Sequence, residues 1–218
     1  MIETILFDLD GTLTDSGLGI TKGVQYALGQ MGCEVPPRES LFSFIGPPLH
    51  KSFQKYYAMD EKASVEAVRQ FRVYYNGMGG ILENEVYPGI RELLRELKQA
   101  GKRLMIATSK PQAAAELVMH HFGLDEFVPE IIGGTDDPSR NTKGKVIAFC
   151  LREFGVDPKS AVMVGDREHD ILGAAENGIP AIGITWGYGD RAELEAAGAK
   201  AVFDTPEETV QYILRGSF

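Results

Sequence analysis

Apolar and polar positions fall into two different rhythms along this chain. Ile5-Leu6-Phe7 is an apolar run that passes without a break into Asp8, with Asp10 one residue further, then Gly11 and Thr12. Such a run predicts a strand buried on both faces that ends at a polar rim. From residue 15 to about residue 85 the periodicity is helical. Ile20, Val24, Ala27, Leu28 and Met31 share one helix face, with Gly32 as a stop. Leu49, Phe53, Tyr56 and Tyr57 mark a shorter second helix, and Val65, Val68, Phe71 and Tyr75 a third that starts at Asp60 as N-cap.

From Tyr87-Pro88-Gly89 onward, helices alternate with apolar strands. Ile90, Leu93, Leu94 and Leu97 form a helix stripe, and Arg103–Ala107 a buried strand that delivers Thr108 and Ser109. A helix from about Pro111, a strand over 127–132, and a helix carrying Val146, Ile147 and Cys150 follow. Ala161–Val164 is a strand ending in Gly165-Asp166; a helix over 169–177, a strand over 181–184, a short helix, a strand over 201–203 and a helix from Pro206 complete the pattern. Strands that alternate with helices and lack hairpin signals predict an α/β fold, a doubly wound, Rossmann-like parallel sheet core with an inserted all-helical domain. The expected boundaries are 1–14 and 87–218 for the core and 15–86 for the helical cap domain.

Composition changes this picture little. The 218 residues carry a formal net charge of −9, which argues against nucleic acid as partner, since a phosphate backbone is held by clustered Lys and Arg. No stretch approaches the ~18 apolar residues of a membrane helix, and the N-terminus enters a strand without a basic leader, so a cytoplasmic protein is expected. The two cysteines, Cys33 and Cys150, lie far apart in helical segments and are expected to be reduced. Monomer and small homo-oligomer both remain open.

Strand ends carry the chemistry. In open parallel sheets ligands bind outside the carboxyl ends of the strands, which here deliver Asp8 and Asp10, then Thr108 and Ser109, then Asp166 with Asp170 one helical turn on. Two carboxylates as close as Asp8 and Asp10 repel unless a cation or a proton lies between them, which points to a divalent metal. Carboxylates for a hard cation, hydroxyls and N–H groups for phosphoryl oxygens, and an ammonium from Lys143 or Lys145 make up a phosphoryl-transfer set.

The sequence Asp8-Leu9-Asp10-Gly11-Thr12, then Thr108-Ser109, Lys143 and Gly165-Asp166-Arg167-Glu168-His169-Asp170, resembles the four signature motifs of the haloacid dehalogenase superfamily, in order and spacing. The chain is most similar to its phosphoglycolate phosphatase and 5′-nucleotidase-like branch, over nearly its whole length. That resemblance implies a phosphatase acting on a small phosphorylated metabolite. Asp8 would be the nucleophile and Asp10 the acid and then the base. Thr108 and Ser109 would hold phosphoryl oxygens, and Lys143 rather than Lys145 would neutralise the anion. Mg2+ would be bound by Asp8, Asp166 and the backbone carbonyl of Asp10, with Asp170 in support. The segment Ile45-Gly46-Pro47-Pro48-Leu49 matches a cap loop that faces the substrate, which makes Gly46 a substrate-binding candidate.

Blander readings exist for each choice. Aspartates beside a glycine are common in turns, and hydroxyls before Pro111 can simply cap a helix. A phosphosugar mutase of the same superfamily stays open as an alternative. A phosphoryl switch without turnover fits less well, because a large insertion follows the first strand directly.

Overall fold

The computed structural model describes residues 2–135 and 137–216. The chain opens with β1 (Thr4–Phe7) and the two-residue strand β2 (Thr14–Asp15). Helices α1 (Gly17–Gln30), α2 (Leu49–Tyr57) and α3 (Glu61–Gly77) follow, with a 3-10 segment over Arg38–Phe44. After β3 (Glu85–Val86) come α4 (Ile90–Gln99), β4 (Arg103–Pro111), α5 (Gln112–His121) and β5 (Glu130–Gly134). The remainder alternates α6 (Lys143–Glu153), β6 (Ala161–Gly165), α7 (Glu168–Glu176), β7 (Ala181–Ile184), α8 (Arg191–Ala196), β8 (Ala201–Phe203) and α9 (Pro206–Arg215).

Two compact units result, one of residues 1–14 with 86–218 and one of residues 15–85. The larger is built on a six-stranded sheet in the order β5-β4-β1-β6-β7-β8, with every described pair parallel. β1 lies in the middle, paired with β4 on one side and β6 on the other. Its residues Ile5, Leu6 and Phe7 are fully buried, as the unbroken apolar run requires of a strand covered on both faces. Met105, Met163, Ile147 and Cys150 pack into the same core, and burial pushes the Cys150 thiol up to about 12.

In the strands, two details depart from the sequence reading. Phe127 and Val128 lie in a turn, their N–H groups on the carbonyl of Leu124, and β5 instead runs on into Gly133 and Gly134. Both glycines lie against backbone, where a Cβ at Gly133 would overlap Gln112 and one at Gly134 would overlap the carbonyl of Ser109. Glycine therefore lets the strand approach the β4–α5 turn closely. The strands β2 and β3 are the second departure; they form a separate two-stranded sheet where the chain leaves and re-enters the larger unit.

In the helical unit, Asp60 caps α3 by accepting from the N–H of Ala63. Ser64, Ala67, Phe71 and Tyr75 form its buried face, while Val65 is 56% exposed. The offset has a packing cause: Gly23 of α1 lies against the Phe71 ring, so small residues bring the two helices together. Phe44 and Phe53 meet edge to face, with ring centroids 5.1 Å apart. Among the described residues, no helix is long and apolar enough to cross a membrane.

Candidate active site

At the carboxyl end of β1 the backbone N–H of Asp8 still pairs with the carbonyl of Val164, so the sheet fixes Asp8 before the chain turns. The turn is tight. The N–H groups of Thr12, Leu13 and Thr14 all converge on the carbonyl of Leu9, and Gly11 adopts φ 86°. That dihedral favours glycine, and a side chain there would also run into the carboxylate of Asp166. Gly11→Ala is therefore expected to cost at least about 2 kcal/mol. In a thermal melt this is a fall of roughly 4–8 °C; an unchanged melting temperature contradicts the assignment.

Lys143 opens α6, which Thr142 caps through its hydroxyl. Its ammonium is buried and lies 2.7 Å from Asp8 Oδ1, 2.9 Å from Asp170 Oδ1 and 3.0 Å from the carbonyl of Ala107, to which it donates. Gly173 of α7 leaves room for the Lys143 stem, since a Cβ there would crowd Lys143 Cγ and the N–H of Gly144. Lys145 lies elsewhere: exposed, it donates to the carbonyl of Pro138 and to Asn141 Oδ1. The ammonium that meets the carboxylates is thus that of Lys143.

Asp166 follows β6 and is fully buried. Its Oδ2 accepts from the N–H of Tyr188 at 2.8 Å, and its Oδ1 from the Thr12 hydroxyl at 3.4 Å. Gly11, Gly187 and Gly189 press on it so closely that a Cβ at any of them would overlap its atoms. Trp186 Nε1 donates to the carbonyl of Thr12, which joins this glycine loop to the turn after β1. Asp170 accepts from the N–H of Arg167 through Oδ2 while Oδ1 faces Lys143.

One oxygen each of Asp8, Asp166 and Asp170 lies within 4.8 Å of the others. Of these three buried carboxylates, Asp8 and Asp170 share the one ammonium of Lys143, so negative charge is in surplus if all three are ionised. Burial, reinforced by the charges of Asp170 and Asp8, holds the Asp166 carboxyl well above the usual carboxylate range. Burial likewise pushes Asp170 up to about 6, although Lys143 opposes it. For Lys143 itself burial alone would lower the pKa, but the carboxylates of Asp170 and Asp8 more than offset it and raise it. A compact, oxygen-only, electron-rich cluster with surplus negative charge is the donor set of a hard divalent cation.

Thr108 is buried, and Ser109 is half-buried in the same bend. β4 and β5 slip out of register between Ala107 and Pro111, a bulge that turns Thr108, Ser109 and Lys110 away from regular pairing. Lys110 had no place among the sequence candidates. Its ammonium lies 3.0 and 2.9 Å from the two carboxylate oxygens of Asp10. The signal for it was a lysine directly after Thr108-Ser109, at a strand end that already supplied two candidates. The loop Trp186-Gly187-Tyr188-Gly189 was also missed, although it follows a strand end of the same sheet and its alternating glycines mark close backbone approach.

Gly46 belongs to the helical unit, where φ 101° lets the chain bend between the 3-10 segment and α2; it is not among the residues the larger unit gathers. Arg167 pairs with Glu193, its Nε 2.8 Å from Oε1, and the same oxygen accepts the N–H of Glu168.

A parallel sheet that gathers buried carboxylates, a lysine and a hydroxyl-bearing bend at its carboxyl rim defines a hydrolase built to handle phosphate esters. The chain belongs to the haloacid dehalogenase-like hydrolase family, whose model matches residues 5–184, and it is a phosphatase of that family. A 5′-nucleotidase of Pseudomonas aeruginosa is 43% identical over 192 residues, 88% of this chain and 86% of that protein. The crystal structure of a predicted phosphatase from Clostridium acetobutylicum superposes with a TM-score of 0.95 at 40% identity, covering 99% of both chains. Tyrosine-protein kinase PtkA of Mycobacterium tuberculosis is 39% identical over 86% of this chain, which spans 63% of that protein's length.

Proposed function

We propose that the protein hydrolyses phosphomonoesters of small metabolites, of the phosphoglycolate or nucleoside 5′-monophosphate type, through an aspartyl-phosphate on Asp8. The observation that carries this reading is the position of Lys143, wedged between Asp8 and Asp170 beside Asp166. A carboxylate fixed by a lysine is held in one orientation for attack yet keeps its second oxygen for phosphorus. Asp8 forms the bond to phosphorus as the ester P–O bond breaks, and Asp10 gives its proton to the departing alkoxide. Water then attacks phosphorus and yields its proton to Asp10, and the P–O bond to Asp8 breaks, which restores the enzyme and releases phosphate. Thr108 and the N–H of Ser109 hold phosphoryl oxygens through both steps.

Asp8, Asp166 and the backbone carbonyl of Asp10 would hold Mg2+, with Asp170 occupied by Lys143 and the Arg167 N–H. When bound, the ion supplies positive charge to the phosphoryl oxygens. The helical unit, with Gly46 in it, selects the substrate, and the enzyme works in the cytoplasm on free metabolites. The similarity to a 5′-nucleotidase supports the nucleotide arm of this proposal.

A phosphate-release screen over phosphoglycolate, nucleoside monophosphates, sugar phosphates and pyrophosphate tests it. Mg2+-dependent release of free phosphate is expected. A rearranged sugar phosphate, or a long-lived phospho-Asp8 without turnover, overturns it.

The raised carboxyls add a pH signature. An acid whose pKa is higher folded than unfolded contributes stability below its ordinary value near 3.8, and for Asp170 that stability is lost as pH rises through about 6. Asp166 is shifted in the same direction. Added Mg2+ should therefore raise the melting temperature of metal-stripped protein more at about pH 7.5 than at about pH 5. An equal rise at both pH values contradicts the site.

A further inference from the structure

We propose that Lys110 is a positioning residue for Asp10, fixing that carboxylate against the phosphate-binding bend so that proton transfer is aligned in both chemical steps. The inference rests on the phosphatase reading above and extends it to a residue outside the four motifs.

The Lys110 side chain is 3% exposed and that of Asp10 13%, so the pair is shielded from water. A buried ammonium without a partner is costly, and with both carboxylate oxygens of Asp10 within 3.0 Å it holds the side chain in one place; when one oxygen carries the proton for the leaving group, the other keeps the ammonium. Lys110 is itself fixed, because its N–H donates to the hydroxyl of Thr108 within the β4 bulge. The same three residues therefore carry the groups that hold the phosphoryl oxygens and the group that holds the proton carrier. Ser109 is braced from the other side, where Gly134 packs against its carbonyl. A proton donor must lie within hydrogen-bond reach of its target atom, and a displacement of an ångström is enough to slow transfer. Tying Asp10 to the bend fixes its distance from the bound phosphoryl group whatever the leaving group is.

The test compares K110M with D10N on two substrates. An alkyl phosphate needs a proton on its leaving oxygen, whereas p-nitrophenolate leaves unprotonated. With the alkyl phosphate, K110M should lose about 10²-fold in turnover. With p-nitrophenyl phosphate it should give a rapid burst of one p-nitrophenolate per active site and then a slow steady rate, because Asp8 is still phosphorylated but water is no longer activated. D10N should show the same burst in stronger form. Equal losses on both substrates with no burst, or wild-type behaviour, overturn the role of Lys110. A burst in D10N but not in K110M overturns it while leaving the phosphatase reading intact; absence of phosphate release by the wild-type enzyme with every phosphomonoester overturns the reading itself. Should K110M fail to fold, K110R keeps the charge but moves the carboxylate with its larger planar head. A weaker burst is expected from it, and wild-type turnover by K110R would overturn the proposal.

Discussion

Asp8→Asn is expected to abolish phosphate release from every substrate the wild-type enzyme turns over, by about 10⁴-fold or more. The amide keeps the shape of the side chain and lacks the charge that attacks phosphorus. Stability should move the opposite way. Asp8, Asp166 and Asp170 crowd three carboxylates together with one lysine between two of them, and removal of Asp8 leaves Lys143 paired with Asp170 alone. In metal-free buffer the melting temperature of D8N should therefore rise by a few degrees, about 1 kcal/mol of stability regained at the cost of function. Substantial phosphate release by D8N would show that Asp8 is not the nucleophile, and a fall in its melting temperature would show that the carboxylates do not repel.

Lys143→Met should be the most damaging change to stability and activity together. Removing one partner of a buried charge cluster costs about 3–5 kcal/mol, because the remaining charges are left uncompensated. In a chain of this size that is a fall of roughly 6–20 °C in melting temperature. Turnover should fall by more than 10²-fold, since Asp8 loses the contact that orients it. The double variant K143M/D170N separates the two effects. It removes the second carboxylate that faced the lysine, so about half of the lost stability should return while activity stays low. If stability does not return, the cost lies in packing around the Lys143 stem, where Gly173 leaves little space, and not in charge.

Much of this arrangement was legible in the sequence because strand ends are easy to read. The apolar runs before Asp8, Thr108 and Asp166 announce buried strands, and parallel pairing carries their last residues to one rim. Lys110 escaped because a lysine after a hydroxyl and before a proline reads as a solvated turn; its burial depends on a bulge that only the pairing of β4 with β5 creates. The face of α3 was read one position off for a related reason. Periodicity gives weight to the branched residues Val65 and Val68, whereas the buried face uses Ser64 and Ala67 with Phe71, whose ring lies on Gly23 of α1. Strands as short as β2 and β3 leave too few residues for any alternation to register.

The pairing of β2 with β3 bears on how quickly the enzyme can assemble. β1 must find β4 across the whole helical insertion, and a long flexible loop would make that search entropically costly. Thr14–Asp15 and Glu85–Val86 lie side by side, so once the insertion has folded its two ends are already neighbours and the loop to be closed is short. β1, which ends at Asp8, then pairs with β4 on one side and with β6, which leads into Asp166, on the other. Phosphatase activity should consequently recover in refolding no sooner than the slowest docking event of the sheet, and substitutions that break the pairing of β2 with β3 should slow that recovery.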